Sequence, residues 1–394
     1  MSTTLTSGLP RQRRQTRQTT TRFAIAAMFF INGAVSGNWA ARIPDIQSQL
    51  GLSHSALGVV LASIAVGLSL ATPITGWLIA RVGSRSITKK AALAYCLALP
   101  LPALASNLLL LAIALLVFGA IGGVMSLAMN AQGLAIERRY GRPLMSSFHG
   151  ISSVGTLIGA ATGGIVTSVG VPTFPHLLGV ALLLGIVANL SSRRLLSSGV
   201  VTANQAPAIA LPERSLIGLG IVAFCSILAE GAMANWSTIY LRQVLETEPG
   251  LAATGCVVFS LAMACGRFTG DRSALHFGSV KTVCFSGTLA AIGLTLSLIV
   301  SQPKVAIIGF ACVGIGLSSI VPLVFSAAER TPGLAPGVAL AAVTTTGYFG
   351  LLFGPPAIGY AAELLTLRGA LGLVVVSSIT IAVLAPTVEL RHKN

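Results

Sequence analysis

The chain consists of long apolar runs separated by short polar stretches. A membrane-spanning helix needs about 20 apolar residues at a rise of about 1.5 Å per residue, and twelve segments meet that requirement. They are residues 23–41, 54–80, 87–106, 108–136, 144–169, 174–192, 215–241, 252–271, 280–300, 304–328, 337–362 and 369–388. One long polar connection divides them into two groups of six. The pattern predicts an all-α membrane protein with six-helix bundles at 23–192 and 215–388, joined by a linker at 193–214.

The composition supports this class. Charged residues make up 9% of the chain and hydrophobic residues 54%, whereas a soluble globular protein carries about 25% charged residues. The six cysteines all lie in apolar runs without CxxC or Cys/His spacing, so neither a disulfide nor a metal site is predicted. A phosphate-binding loop of the GxxxxGK[ST] type is missing from the sequence. No cofactor and no ATP hydrolysis are therefore expected.

The positive charge is distributed asymmetrically along the chain. With the N-terminus inside, all but four of the 25 Lys and Arg residues fall on the cytoplasmic side, Arg267 among them. The four exceptions are Arg42, Arg242, Lys304 and Arg368. The positive-inside rule then places both termini, residues 1–22 and 389–394, in the cytoplasm, in a bacterial inner membrane. This bias accounts for the net charge of +15 without a nucleic-acid partner.

The first 22 residues contain five arginines and many Ser and Thr residues but no acidic residue. Such a composition is typical either of a disordered basic tail or of an organelle transit peptide. We interpret the segment as a tail that precedes the first span.

Short repeats relate the two halves. "GAVSGNWAARI" around Asn38 is similar to "GAMANWSTIY" around Asn235, 197 residues later. "VGS" at 82–84 matches "FGS" at 277–279, and "AIERR" at 135–139 matches "AAERT" at 327–331. Three matches in the same order at nearly one offset indicate a duplication. Two parallel six-span repeats with a substrate site between them are a transporter architecture.

The connection between the second and third spans carries a recognisable motif. "GWLIARVGSRS" holds Gly76, Arg81, Gly83 and Arg85, with Ala80 where an acidic residue is expected. The copy in the second half, "GDRSALHFGSVK", keeps Asp271, Arg272 and Gly278. These motif residues resemble those of the major facilitator superfamily, and the resemblance covers the whole chain. The resemblance implies a monomeric secondary transporter of a small molecule that works by alternating access.

The same resemblance implies a gate of charged residues and glycines at the cytoplasmic side. Ion pairs between helices would hold this gate shut while the outer one is open. Its candidate members are Gly76, Arg81, Gly83, Arg85, Glu137, Asp271, Arg272 and Glu329.

The fifth span is rich in glycine and begins with "FHG", which is similar to a branch of small fucose-permease-like and rhizopine-associated bacterial permeases. Its "GTLIGAATGG" also resembles the antiporter motif GxxxGPxxGG, with Ala160 in place of proline, and "GLLFGPPAIG" lies in the eleventh span. These glycines either serve as hinges between the halves or are ordinary close helix contacts. The candidate residues are Gly155, Gly159, Gly163, Gly164, Gly350, Gly354 and Pro355.

Two titratable residues are candidates for proton coupling. Glu230 lies near the middle of the seventh span, where a charged carboxylate costs about 3 kcal/mol in lipid. An acid at that depth can take up a proton from one side and release it when water or a cation arrives. His149 lies near the start of the fifth span, and imidazole titrates near neutral pH. Either residue could instead be a static hydrogen-bonding partner of a neighbouring helix.

Polar and aromatic residues within the spans are candidates for a substrate cavity, because buried amides need partners. They are Asn32, Asn38, Trp39, Asn130, Gln132, Asn235, Trp236, Ser318, Thr345 and Tyr348. An alternative for Trp39 and Trp236 is the aromatic belt at the membrane interface. The Ser and Thr hydroxyls can instead bond to their own helix.

We therefore expect a proton-coupled transporter of a small polar metabolite rather than an enzyme. A drug/proton antiporter that exports amphipathic compounds is also compatible with the sequence, and the partial antiporter motif favours it. Two functions of a different class stay open as well. One is a sensor that has lost transport, and the second is a membrane enzyme that uses His149 and Glu230 as an acid/base pair.

Overall fold

The computed structural model describes residues 11–140, 144–196, 216–331 and 336–389. Within these ranges twelve helices are long and apolar enough to cross a membrane, as the hydrophobic pattern predicts. Their bounds are α1 Arg11–Gln49, α2 His54–Val82, α3 Ser84–Ala98, α4 Leu108–Tyr140, α5 Met145–Ser168, α6 Thr173–Ser192, α7 Ile217–Ile239, α8 Pro249–Phe277, α9 Ser279–Val300, α10 Pro303–Leu317 continued by Ile320–Glu329, α11 Pro336–Leu365, and α12 Leu367–Ala370 continued by Gly372–Leu384.

Helix α1 is much longer than its predicted span of 23–41. It begins at Arg11, inside the segment interpreted as a disordered tail, and runs past Pro44 to Gln49. Residues 11–22 contain neither Gly nor Pro, and Arg and Gln are good helix formers. A helix that the membrane span holds in place can therefore continue through them. Most of the linker predicted at 193–214 and the last five residues lie outside the described ranges.

The two halves use the same turn at equivalent places. Gly83 between α2 and α3 and Gly278 between α8 and α9 both have a φ of +84°, which favours glycine. Each donates its backbone N–H to a carbonyl four residues earlier, on Ile79 and Ala274. The "VGS" and "FGS" repeats of the sequence therefore form one structural unit that occurs twice.

Helix packing follows the same duplication. In the first half α1 packs on α5 and α2 on α4, and in the second half α7 packs on α11 and α8 on α10. The halves meet chiefly through α5 with α8 and through α2 with α11. These two inter-half pairs are equivalent under the repeat. The fold therefore consists of two six-helix bundles related by pseudo-symmetry.

Glycines bring helix backbones into direct contact at these interfaces. A Cβ added at Gly155 or Gly159 of α5 would overlap the carbonyls of Phe30 or Ala34 on α1. One added at Gly350 of α11 would overlap the carbonyl of Phe224 on α7. Small residues that permit such close approach are the usual contacts between helices in lipid.

Further glycines lie at the boundary between the halves. Gly164 on α5 faces Ala253 on α8. Gly58 on α2 lies against the carbonyl of Pro355 on α11, and Gly359 lies against the carbonyl of His54. Of the other predicted packing residues, Gly163 faces Ala41 and Gly354 faces Leu228, each within its own half.

We expect Gly159→Leu to lower the thermal unfolding temperature of the purified protein, because a side chain there meets the α1 backbone, which cannot rotate away. Overpacking of this kind costs about 1–3 kcal/mol. Gly179→Leu is the matched control, since nothing lies within 4 Å of a Cβ at that position of α6. Equal unfolding temperatures for the two variants would contradict close packing of α1 on α5.

Candidate functional site

A charged pair lies deep within the bundle. The Oε1 atom of Glu230 on α7 accepts a hydrogen bond of 3.1 Å from Nη2 of Arg267 on α8. The Nη1 atom of the same guanidinium donates to Oγ of Ser153 on α5 at 2.9 Å. The Arg267 and Glu230 side chains are 27% and 36% exposed. One cation therefore joins the acid of the second half to a hydroxyl of the first half.

Arg267 belongs to the predicted eighth span, 252–271, and lies within α8, ten residues before Phe277. The apolar part of this helix ends two residues later, at Thr269. An arginine near the end of an apolar run, "SLAMACGRFTG", is a signal of a polar partner. The sequence prediction did not identify Glu230 and Ser153 as its partners.

His149 lies one helical turn before Ser153, the α5 partner of Arg267. Its ring is exposed and packs edge-on against Phe29 at 5.3 Å between ring centroids. Its backbone carbonyl accepts from Ser153 Oγ at 3.2 Å. His149 therefore lies beside the charged pair, and its role in proton transfer stays a prediction.

A cavity of about 180 Å³ lies between the two halves. Its walls come from α1, α2, α3, α4 and α5 of the first half and from α7, α8 and α11 of the second. The lining residues are Ser36, Trp39, Ala40, Leu61, Ile64, Ala65, Tyr95, Phe118, Thr156, Ala234, Asn235, Cys256, Leu351 and Pro355. This position between repeats is where a solute site is expected in this architecture.

Of the predicted cavity residues, only Trp39 and Asn235 line this cavity, together with Pro355 from the predicted packing set. Sequence reasoning missed Ser36, Tyr95 and Thr156. Ser36 and Thr156 give little sequence signal, because such hydroxyls commonly bond to their own helix, as both do here.

The two tryptophans are buried, at 4% exposed for Trp39 and 0% for Trp236. The interfacial-belt alternative is therefore wrong for both, since belt residues face the membrane boundary. Trp39 packs near Phe118 at 6.1 Å, and Trp236 stacks on His54 at 6.1 Å between ring centroids.

The predicted amides mostly serve their own helices. Asn38 and Asn235 each donate to the carbonyl four residues earlier at 2.8 Å, which repeats one contact in both halves. Asn32 is half-buried on α1, and its backbone carbonyl accepts a hydrogen bond from Ser36 Oγ at 3.0 Å. Asn130 on α4 has a buried Oδ1 for which the described residues offer no hydrogen-bond partner.

Gln132 is not a cavity residue. Its Nε2 donates to Ser84 Oγ at 2.7 Å and to the Leu196 carbonyl at 3.2 Å, and its Oε1 accepts from the Leu196 N–H at 2.9 Å. It lies only eight residues before the end of α4. Its amide therefore ties the end of α4 to the start of α3 and to the segment after α6.

The remaining cavity candidates also lie outside the central cavity. Ser318 donates to the Ile315 carbonyl at 2.6 Å and lines a groove of about 360 Å³ between α8, α9 and α10. Tyr348 is 42% exposed on α11. Thr345, one turn of helix earlier, is half-buried. The sequence alone does not distinguish these three hydroxyl-bearing residues from residues that line the cavity.

The end of the bundle where α1 begins and α12 ends is called the arginine-rich end, and the other is called the opposite end. Polar contacts join the halves at the opposite end. His54 Nε2 and Gln243 Oε1 are 3.0 Å apart, and Gln243 Nε2 donates to Gln47 Oε1 at 2.9 Å. Glu363 accepts from the N–H and Oγ of Ser55 at 3.1 and 2.7 Å. These contacts, the opposite-end network, close the bundle there.

Some of the predicted gate residues have contacts that the structure describes, and the expected ion pairs of the gate stay a prediction. Glu137 accepts from the N–H groups of Leu144 and Met145 at 2.6 and 2.9 Å, so it caps the start of α5. A carboxylate there complements the free N–H groups and the positive end of the helix dipole.

Two of the three predicted gate arginines have described contacts in the first half. The Arg81 guanidinium lies 4.3 Å above the Trp77 ring, and Arg85 donates to the Arg193 carbonyl at 2.9 Å. A Cβ added at Gly76 would meet no atom within 4 Å. The side chains of Asp271, Arg272 and Glu329 lie outside the part of the chain that the structure describes.

Two related six-helix bundles around a central cavity define a polytopic membrane transporter. The sequence profile of the Major Facilitator Superfamily matches residues 24–355. The chain belongs to this family.

Relatives extend over nearly the whole chain. An uncharacterized MFS-type transporter of Yersinia pestis is 36% identical over 372 residues, which is 94% of this chain and 96% of the relative. An uncharacterized transporter of Sinorhizobium fredii (strain NBRC 101917 / NGR234) is 33% identical over 372 residues, which is 93% of this chain and 97% of the relative. The crystal structure of a D-xylose-proton symporter shares the fold, with a TM-score of 0.73, 15% identity and coverage of 94% of this chain and 97% of that one.

We expect Glu363→Ala to loosen the opposite-end network, because it removes the acceptor of two hydrogen bonds from Ser55. Cys256 lines the cavity and is buried, so it can report opening when the other five cysteines are replaced by serine. Labelling of Cys256 by a membrane-impermeant maleimide, added on the side that the opposite end faces, should become several-fold faster.

Glu248→Ala is the matched control for this experiment. Glu248 is an exposed acid at the same end, immediately before α8, and makes no capping hydrogen bond. If both variants were labelled at the same rate, Glu363 would have no part in closing the cavity.

Proposed function

We propose that the protein is a secondary active transporter that moves a small polar solute across a bacterial cytoplasmic membrane by alternating access, coupled to protons. The observation that carries this proposal is the position of Arg267, which binds Glu230 of its own half and Ser153 of the other half. Protonation of Glu230 would therefore change a contact between the two halves, which move relative to each other in alternating access.

The coupling step follows from the strength of the bonds. An ionised carboxylate holds a guanidinium by a charge-assisted hydrogen bond, which is roughly twice as strong as a neutral one. Protonation of Glu230 removes the negative charge and lets Arg267 move away from α7. The bond from Arg267 to Ser153 of α5 would then change with it. The α5–α8 interface, one of the two main contacts between the halves, would therefore respond to the proton.

The pair is suited to reversible coupling because it is only half-buried. Exposed ion pairs are worth about 0–1 kcal/mol, and fully buried ones several times more when one partner is lost. The half-buried pair should contribute an interaction energy between these two limits. Such an energy matches a two-state equilibrium whose states differ by a few kcal/mol. A much stronger bond would hold one state permanently.

The cavity favours a small solute over the alternative of an exported amphipathic drug. Its volume of about 180 Å³ is below the 300–1,000 Å³ that is typical of sites for drug-sized ligands. The partial antiporter motif gives little support to export, because Ala160 replaces its proline and is buried within a regular helix.

We expect Glu230→Gln to abolish proton-driven accumulation in proteoliposomes and to leave counterflow exchange intact, because glutamine keeps the shape of the side chain but cannot be ionised. The accumulation ratio should fall to one. The solute for this assay is identified by a thermal-shift screen with sugars, amino acids and cationic drugs. Proton-driven accumulation at the normal ratio would show that Glu230 is not the coupling acid.

Glu248→Gln is the charge-matched control, since it removes an exposed carboxylate far from Arg267. Counterflow in the same vesicles separates a loss of coupling from a loss of folding. A variant that fails in both assays is unfolded or blocked, and its unfolding temperature decides between the two.

The proposed orientation places the arginine-rich end in the cytoplasm. In a cysteine-free background, Ser301→Cys, between α9 and α10, should react with an impermeant maleimide in intact cells. Ser7→Cys should react only after the membrane is permeabilised. Labelling of Ser7→Cys in intact cells, with Ser301→Cys labelled only after permeabilisation, would place the termini on the outside and contradict this orientation.

A further inference from the structure

We infer that the central cavity binds an uncharged, polyhydroxylated solute of about the size of a single sugar ring. This inference rests on the proposed function and adds the chemical class of the solute.

The first argument is the lack of charge in the walls. All fourteen lining residues are uncharged, and most of them are aliphatic or aromatic. A net charge moved from water into such surroundings meets a large desolvation cost, which only a paired counter-charge offsets. An anion or a cation would find no such partner among the lining residues.

The charged pair does not supply this partner. Glu230 lies four residues before Ala234 on α7, which is one helical turn, or about 6 Å, nearer the arginine-rich end. Neither Glu230 nor Arg267 belongs to the lining, and the two bind each other. The charges that respond to protons and the walls that enclose the solute are therefore separate.

The second argument is the polar groups of the walls, which fit hydroxyls of one solute. Tyr95 OH and Ser36 Oγ are 3.2 Å apart and form one polar edge. Asn235 donates its Nδ2 to the Gly231 carbonyl, which directs Oδ1 to the role of acceptor. Hydroxyl groups can both donate and accept, so a polyol can satisfy all of these groups at once.

An aromatic wall completes the pattern. The Phe118 ring lies 4.9 Å from Tyr95 and 6.1 Å from Trp39 between centroids. Aromatic faces carry partial negative charge and attract the C–H bonds on the flat side of a sugar ring. One apolar face and several hydroxyls around an edge describe a cyclic polyol better than an amino acid or an aliphatic amine.

The test compares three rings of equal size that differ in charge. Glucose, glucosamine and glucuronate are offered to the purified protein, and thermal stabilisation and counterflow in proteoliposomes are measured. We expect the neutral ring to stabilise the protein and to be exchanged, and each charged ring to act at least tenfold more weakly. A charged ring that equals or exceeds the neutral one would overturn the inference.

Failure of this inference is distinguishable from failure of the proposed function. If the thermal-shift screen and counterflow identify a charged solute, the protein is a transporter and the inference about the cavity is wrong. If no solute of any class is exchanged, the proposed function itself fails, and the inference fails with it.

Discussion

Close contact between helix backbones at glycine is the constraint on which the structure depends. In lipid, helices gain little from burying apolar side chains against one another, so short-range packing must hold them together. Gly155 and Gly159 let α5 lie on the carbonyls of α1, and Gly350 does the same for α11 on α7. The glycines Gly58 and Gly359 bring α2 against α11 across the two halves. The contacts between the halves consist of small residues packed on backbone. In the proposed rocking motion, one half can therefore tilt on the other without separating interdigitated side chains.

The second organising feature is the separation of charge from cavity. Glu230 and Arg267 pair about one helical turn from the uncharged walls around Trp39 and Asn235. A charged group in the cavity wall would raise the cost of the empty state and would select charged solutes. In the proposed mechanism, a proton acts on the contact of Arg267 with Ser153 of α5. Coupling in that mechanism depends on the helices that both sites share, not on direct contact between proton and solute.

The number of spans, the duplication and the turn glycines Gly83 and Gly278 could be predicted because each leaves a local pattern: hydrophobic length, repeated letters, or a required backbone conformation. The site could be predicted only in part. Trp39 and Asn235 line the central cavity, whereas Gln132 ties helix ends together, and the bonds of Arg267 to Glu230 and Ser153 leave no pattern in the sequence. Whether a polar residue faces a cavity or a neighbouring helix depends on helix rotation and tilt. Tertiary packing sets these angles, and no short sequence pattern records them.

The two ends of the bundle differ in a way that bears on the direction of opening. At the opposite end, contacts such as Ser55 with Glu363 cross directly between the halves. They are solvent-exposed, so each is weak and water can replace it. At the arginine-rich end, Glu137 caps α5 and Arg81 packs on Trp77, both within the first half. Contacts between the halves are described on this side as well, since Arg267 of α8 donates to Ser153 of α5 and Phe268 of α8 lies against Gly150. In the proposed transport cycle, the exposed contacts at the opposite end are the ones that water replaces most easily.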